Sequence, residues 1–187
     1  MTDAVFLDRD GTINEDVDYL SDPKHTRLLP GVVQAVRLLN ERSIPVIVVT
    51  NQSGVARGFH SEADVAAVHT AISEELKKVD AHIDRYYYCP HYPQGKGEYA
   101  VACECRKPKP GLLLQAAKDL YLDLSHCVMV GDKAIDIEAG RAAGCRTILV
   151  MTGKETQTKD PWNESFKPTH VANDLLAAVE WITSMEE

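Results

Sequence analysis

The chain has 187 residues, of which 44% are hydrophobic, and this suits one globular domain over residues 1–187 with a core of its own. Its 20 basic and 28 acidic residues leave a net charge of -8, which excludes a broad nucleic-acid-binding face. No apolar run is long enough to cross a bilayer, and Met1-Thr2-Asp3 lacks the basic start of a secretory signal, so a cytosolic monomer is expected.

The first apolar run, Ala4 to Leu7, ends in Asp8-Arg9-Asp10-Gly11-Thr12. The second, Val46 to Val49, hands over to Thr50-Asn51, and Ser61-Glu62-Ala63-Asp64 then caps a helical series of Val65, Val68, Ile72, Leu76 and Val79. A third run, Tyr86 to Tyr88, leads into Cys89 and His91. Pro110 is placed for the first turn of a helix through Leu112, Ala116 and Leu120. Val128 to Val130 leads into Gly131-Asp132, and Thr147 to Val150 follows. Lys154 to Lys167 reads as a loop, and Leu175, Val179 and Ile182 close the chain as a helix. Continuous apolar runs are typical of strands buried on both faces, and their alternation with helices predicts a doubly wound parallel α/β sheet. Ligands of such sheets bind outside the carboxyl ends of the strands, where four of the five runs present polar residues.

Asp8 and Asp10, at i and i+2 on leaving a strand, can face one pocket once the chain turns at Gly11. One carboxylate can then attack phosphorus while the other protonates the departing oxygen. A carboxylate approaching a phosphate needs a cation to screen the repulsion, and hard oxygen ligands suit magnesium. Thr50 can bond a phosphoryl oxygen, Asn51 can orient a neighbour, and Lys107 supplies a point charge for the transferring group. Asp132 offers another metal oxygen, and Asp136, one helical turn on, can orient a metal water or Lys133.

Cys89-Pro90-His91 and Cys103-Glu104-Cys105 form a second constellation. Four soft or borderline ligands in two close pairs suit tetrahedral zinc, and a site without an open position is structural. The turn-rich segment between the pairs would otherwise be mobile. The cluster adjoins Arg106-Lys107, and Arg106 can clamp a second phosphate in bidentate fashion, as Lys107 cannot. Cys127 and Cys145 lie beside apolar runs and read as small buried hydrophobes.

These four motifs, in this order, resemble the haloacid dehalogenase (HAD) superfamily: Asp8 to Thr12, Thr50-Asn51, Lys107-Pro108, and Gly131-Asp132 with Asp136. The resemblance implies a Rossmann-like HAD fold with Asp8 as nucleophile and Asp10 as general acid, then base. It also implies magnesium on the Asp8 carboxylate, the Asp10 backbone carbonyl and Asp132. The zinc loop narrows the resemblance to the branch without a large cap domain, which includes heptose-bisphosphate and histidinol-phosphate phosphatases. Phe6 to Asn14, Thr50 to Gly58, Tyr87 to His91 and Cys105 to Pro108 closely resemble the heptose enzymes. This implies substrate contacts at Asp16, Val17, Asp18, Tyr19, Thr50, Asn51, Gln52, Ser53, Arg106, Lys107 and Lys133. The implied substrate is a small-molecule sugar bisphosphate, heptose 1,7-bisphosphate, cleaved at C7 on the way to nucleotide-activated heptose for lipopolysaccharide core or another surface glycan. Histidinol phosphate is the alternative substrate. A phosphate binder or a zinc-ribbon interaction module is the alternative outside the enzymes. The first would lack a carboxylate, yet both are present; the second would be free-standing, yet the four ligands lie inside the α/β pattern.

Overall fold

The structure is a computed structural model in which residues 2–154 and 167–185 are described. Six strands build one sheet: β1 (Val5–Leu7), β2 (Val46–Asn51), β3 (Arg85–Cys89), β4 (Val128–Gly131), β5 (Arg146–Val150) and β6 (His170–Ala172). All neighbours pair in parallel, in the order β3-β2-β1-β4-β5-β6. The strand order reverses at β1, whose Leu7 lies between Val48 and Val130. In an open α/β sheet that reversal opens the ligand crevice, and here it falls where Asp8 leaves β1.

Side chains alternate between the two faces of a strand, so each strand feeds two cores. Val5, Leu7, Val46, Val48, Val128 and Val130 pack with α1 (Val32–Glu41), α3 (Glu62–Lys77) and α6 (Leu175–Ser184). Ala4, Phe6, Ile47, Val49 and Met129 pack on the other face with α4 (Gly111–Leu120) and α5 (Ala134–Ala143). Each fully buried Leu, Ile or Phe among them contributes roughly 1.5–3 kcal/mol. Both faces are thereby covered, as the continuous apolar runs predict. Cys127 and Cys145 are buried, as expected of small hydrophobes.

Several boundaries differ from the sequence reading. Strand β2 extends through Asn51, because Thr50 and Asn51 still pair with Tyr88 and Cys89 of β3. Helix α3 begins at the Ser61–Asp64 capping box but stops at Lys77, so Val79 lies beyond it and is exposed. Pro110 is the N-cap of α4 rather than part of its first turn. Helices α1 and α5, the single turn α2 (Gly54–Arg57) and strand β6 carry no assignment in the sequence. Gly31 caps α1 without a side-chain hydrogen bond, and β6 is only three residues long, so neither announces itself locally. Most of the loop expected from Lys154 to Lys167 lies outside the described residues.

Among the described residues no second domain covers the carboxyl ends of the strands. The segments 8–31 and 90–110 stand there instead.

Candidate active site and metal cluster

The turn after β1 is built around one carbonyl: the amides of Thr12, Ile13 and Asn14 all donate to Arg9 O, at 3.3, 2.8 and 3.1 Å. Gly11 sits at φ 92° within this turn, and a Cβ there would run into the Asp132 carboxylate. Glycine is therefore demanded twice, by conformation and by space. The Asp10 carbonyl takes part in none of these backbone bonds.

Lys107 is buried, and its Nζ lies 2.7 Å from Asp8 Oδ1, 2.7 Å from Asp136 Oδ1 and 2.7 Å from the Val49 carbonyl. Carboxylate oxygens of Asp8, Asp132 and Asp136 lie within 4.8 Å of one another. Asp132 Oδ2 is shut off from solvent and has no hydrogen-bond partner, although Thr12 Oγ1 donates weakly to Oδ1 at 3.4 Å. Burial, with the charges of Asp8 and Asp136, pushes the Asp132 carboxyl up to about 8. Burial also lifts Asp136 to about 6 against the pull of Lys107. A pocket of mutually repelling carboxylates with one orphaned oxygen fits a hard divalent cation.

Asp10 is held separately. The fully buried guanidinium of Arg9 grips it through Nε at 3.1 Å and Nη2 at 2.8 Å, Asn14 Nδ2 donates at 2.9 Å, and Gln52 Nε2 donates at 3.0 Å. Burial opposes ionisation, yet the Arg9 charge and these hydrogen bonds hold its carboxyl below the ordinary range. Gln52 also donates to Thr50 Oγ1 at 2.9 Å and accepts from Arg9 Nη2 at 3.2 Å.

A cavity of about 350 Å³ opens above these groups, lined by Asp10, Asp16, Asp18, Tyr19, Ser53 and Lys133, with Asn51, Gln52, Gly54 and Lys154. Of the expected substrate contacts, Thr50 and Lys107 are buried and do not line it, and Val17 is exposed outside it. Asn51 reaches the cavity wall, but its amide group is bonded to the backbone of Lys107. Arg106 does not line the cavity; its guanidinium donates to His91 O at 3.3 Å and lies 5.2 Å from the Tyr92 ring centroid. Asp136, read as a partner for Lys133 or a metal water, binds the Lys133 backbone amide at 3.0 Å but spends its other oxygen on Lys107. Sequence reasoning missed Arg9, Asn14 and Lys154. Arg9 sits inside the first motif, but an arginine between two aspartates reads equally well as a solvent-facing residue.

The second cluster forms at the end of β3. Cys105 Sγ lies 3.1 Å from Cys89 Sγ, 3.1 Å from Cys103 Sγ and 3.3 Å from His91 Nδ1, while Cys89 Sγ lies 3.5 Å from Cys103 Sγ. Burial and the neighbouring sulfurs raise the Cys105 thiol strongly, so these ligands ionise together only around a cation. Three sulfurs and one imidazole nitrogen so close together fit tetrahedral zinc.

A parallel sheet whose reversal point carries Asp8, Asp10, Lys107 and Asp132 defines a HAD-like hydrolase, and the family described as HAD-hydrolase-like matches residues 104–178. The chain is 44% identical to the D-glycero-D-manno-heptose-1,7-bisphosphate 7-phosphatase of Thermosynechococcus vestitus, over 96% of this chain and 94% of that one. It is also 44% identical to the D-glycero-beta-D-manno-heptose-1,7-bisphosphate 7-phosphatase of Escherichia coli K12, over 81% of this chain and 80% of that one. The D,D-heptose 1,7-bisphosphate phosphatase of B. bronchiseptica, solved with magnesium and phosphate, superposes with a TM-score of 0.87 at 34% identity, covering 99% of both chains. The chain belongs to the D-glycero-D-manno-heptose-1,7-bisphosphate 7-phosphatase family.

Proposed function

We propose that this chain is a magnesium-dependent phosphatase that removes the C7 phosphate of D-glycero-D-manno-heptose 1,7-bisphosphate through a phospho-aspartate on Asp8. The observation that carries the chemistry is the buried Lys107–Asp8 contact of 2.7 Å beside an Asp132 oxygen that accepts no hydrogen bond. The substrate rests on the names of relatives that match most of the chain at 44% identity.

Asp8 is the nucleophile. Lys107 holds Oδ1 and leaves the second oxygen to attack phosphorus. Lys107 also lies beside the phosphoryl group as negative charge spreads over its oxygens. Thr50, positioned by Gln52, offers its hydroxyl to one of those oxygens. Asp10 protonates the departing C7 oxygen, then deprotonates the water that hydrolyses the phospho-aspartate. The Arg9 charge and its hydrogen bonds hold the Asp10 carboxyl low at rest. Asp10 therefore takes its proton from water as the dianionic phosphate binds beside it, and then passes that proton to the departing oxygen.

The Asp8 carboxylate, the Asp10 carbonyl and Asp132 would hold magnesium, which supplies positive charge against the repulsion between nucleophile and phosphate. Cys89, His91, Cys103 and Cys105 would hold a structural zinc that fixes the loop ending in Arg106 and Lys107. The phosphate left on C1 falls to Arg106, and the sugar to Asp16, Asp18, Tyr19, Ser53 and Lys133 around the cavity. The chain works as one domain, a cytosolic monomer; the single sheet that joins all its strands supports the one-domain reading.

Phosphate release from both anomers of the heptose bisphosphate, with histidinol phosphate alongside, tests this reading. Loss of the C7 phosphate alone, with histidinol phosphate a poor substrate, is expected. Preferential cleavage of histidinol phosphate would overturn it.

A further inference from the structure

We infer that Arg57 and Tyr92 complete a second anion subsite with Arg106 at the rim of the cavity, and that this subsite takes the phosphate that is not cleaved. The inference rests on the bisphosphate reading above and extends it to two residues that the motifs do not mark as substrate contacts.

Counter-charges point to the position. Lys133 in the cavity wall is matched by Asp16 at 3.0 Å and Asp132 at 3.8 Å, and Lys154 by Asp18 at 3.5 Å. Lys107 and Arg9 are matched within the catalytic centre. Arg57 and Arg106 have no carboxylate partner among the described residues. Among the described residues Arg106 donates to the His91 carbonyl, and Arg57 Nε is closed to solvent without a hydrogen-bond partner. Two guanidinium groups without a carboxylate, both within reach of the Tyr92 ring in a chain of net charge -8, mark a place where an anion belongs.

Tyr92 brings them together. The Arg57 guanidinium carbon lies 3.9 Å from its ring centroid and that of Arg106 lies 5.2 Å away. Arg57 is also 5.9 Å from the ring of Tyr19, which lines the cavity and packs on Phe59 at 4.6 Å. Stacking engages the face of a guanidinium and leaves its edge donors free, the arrangement that bidentate phosphate binding needs.

The backbone builds this platform. Arg57 ends the single turn α2, whose Ala56 amide donates to Pro90 O at 3.2 Å and whose Ala56 carbonyl accepts from Lys96 at 2.6 Å. Tyr92 is bonded within the same loop, its amide to Tyr99 O at 3.1 Å and its carbonyl to Gly95 at 2.8 Å. A Cβ at Gly95 would meet both the Ala56 and Tyr92 carbonyls, so glycine alone permits this approach. The loop that carries the Cys/His cluster is thus knitted to Arg57 at one end and runs directly into Arg106 at the other.

The test compares kcat/KM for heptose 1,7-bisphosphate with that for p-nitrophenyl phosphate, a monoester that has no second phosphate. Arg57→Ala should lose about tenfold to a hundredfold on the bisphosphate, mainly through KM, and far less on the monoester. Arg57→Lys should recover part of that loss, because it restores charge without the planar fork. Arg57→Ala combined with Arg106→Ala should lose less than the product of the two single losses, since both arginines serve one phosphate. Thermal unfolding checks that each variant is folded; should Arg57→Ala fail, Arg57→Lys and Arg57→Gln carry the comparison. Equal losses on the two substrates, or none, would overturn the role of Arg57 while the wild-type rate on the bisphosphate upholds the substrate. A wild type that spares the bisphosphate but cleaves the monoester would overturn both.

Discussion

Asn51 and Lys107, 56 residues apart, are joined by two hydrogen bonds: Asn51 Nδ2 donates to the Lys107 carbonyl at 3.0 Å, and the Lys107 amide donates to Asn51 Oδ1 at 3.1 Å. The last residue of β2 therefore sets the main chain from which the buried Lys107 reaches Asp8. Asn51→Ala should lower kcat about tenfold or more with little change in KM, and cost roughly 1–2 kcal/mol of stability. Steady-state kinetics on a simple monoester checks this. A change confined to KM would make Asn51 a substrate contact instead.

Lys107→Ala should be severe for stability as well as activity. It leaves Asp8 and Asp136 facing each other in a buried pocket without their shared cation, a loss of roughly 3–5 kcal/mol. Urea unfolding measures it, and a loss below 1 kcal/mol would show that the carboxylates relax by taking up a proton.

Asp8→Asn should abolish turnover while the protein stays folded, because the amide has nearly the same shape but cannot attack phosphorus. Mass spectrometry of acid-quenched wild type should show a phosphorylated chain that the variant never forms. Asp10→Asn should still form that adduct, with turnover reduced about a hundredfold or more. Residual turnover by pure Asp8→Asn above contaminating phosphatase would remove the covalent mechanism.

Purified protein should carry about one tightly held zinc per chain and need added magnesium for activity. Cys103→Ala should release the zinc, lower stability and weaken substrate binding through the Tyr92 platform. Elemental analysis that finds no zinc in carefully prepared protein would contradict the structural-metal reading.

His69 gives a pH dependence outside the metal sites. It is buried against Tyr86, with ring centroids 4.4 Å apart, and burial, then the Arg9 charge, push it down to about 3 despite Asp10. Between about 6.5 and 3 the unfolded chain carries a proton on this imidazole that the folded chain refuses. Its contribution is therefore complete above about 6.5 and is lost as the pH falls through that window. His69→Phe keeps the stacking and removes the titration, so at pH 4 it should recover roughly 2–3 kcal/mol of the acid-induced loss. Chemical denaturation of both proteins from pH 7 to pH 4 would decide it, and parallel curves would refute the assignment.

The sequence by itself determined the sheet class and the order of the chemistry. Continuous apolar runs are what a doubly covered parallel sheet requires, and parallel strands deliver their following residues to one edge. Asp8, Thr50, Cys89 and Asp132 could therefore be placed at one edge without coordinates, and the paired spacing of Cys89-His91 and Cys103-Cys105 sufficed to mark the Cys/His cluster. Tertiary structure alone decided how side chains from distant segments share partners. Arg9 is buried because Asp10 and Gln52 meet it there, and Asp136 turns to Lys107, whose Nζ comes within 2.7 Å of it. Arg57 and Arg106 meet at Tyr92 only because the loop after β3 folds back onto α2. Strand and helix periodicity act over a few residues and are legible in order. Ion pairs and stacked rings depend on distances of a few ångströms between elements that the chain brings together only when it folds.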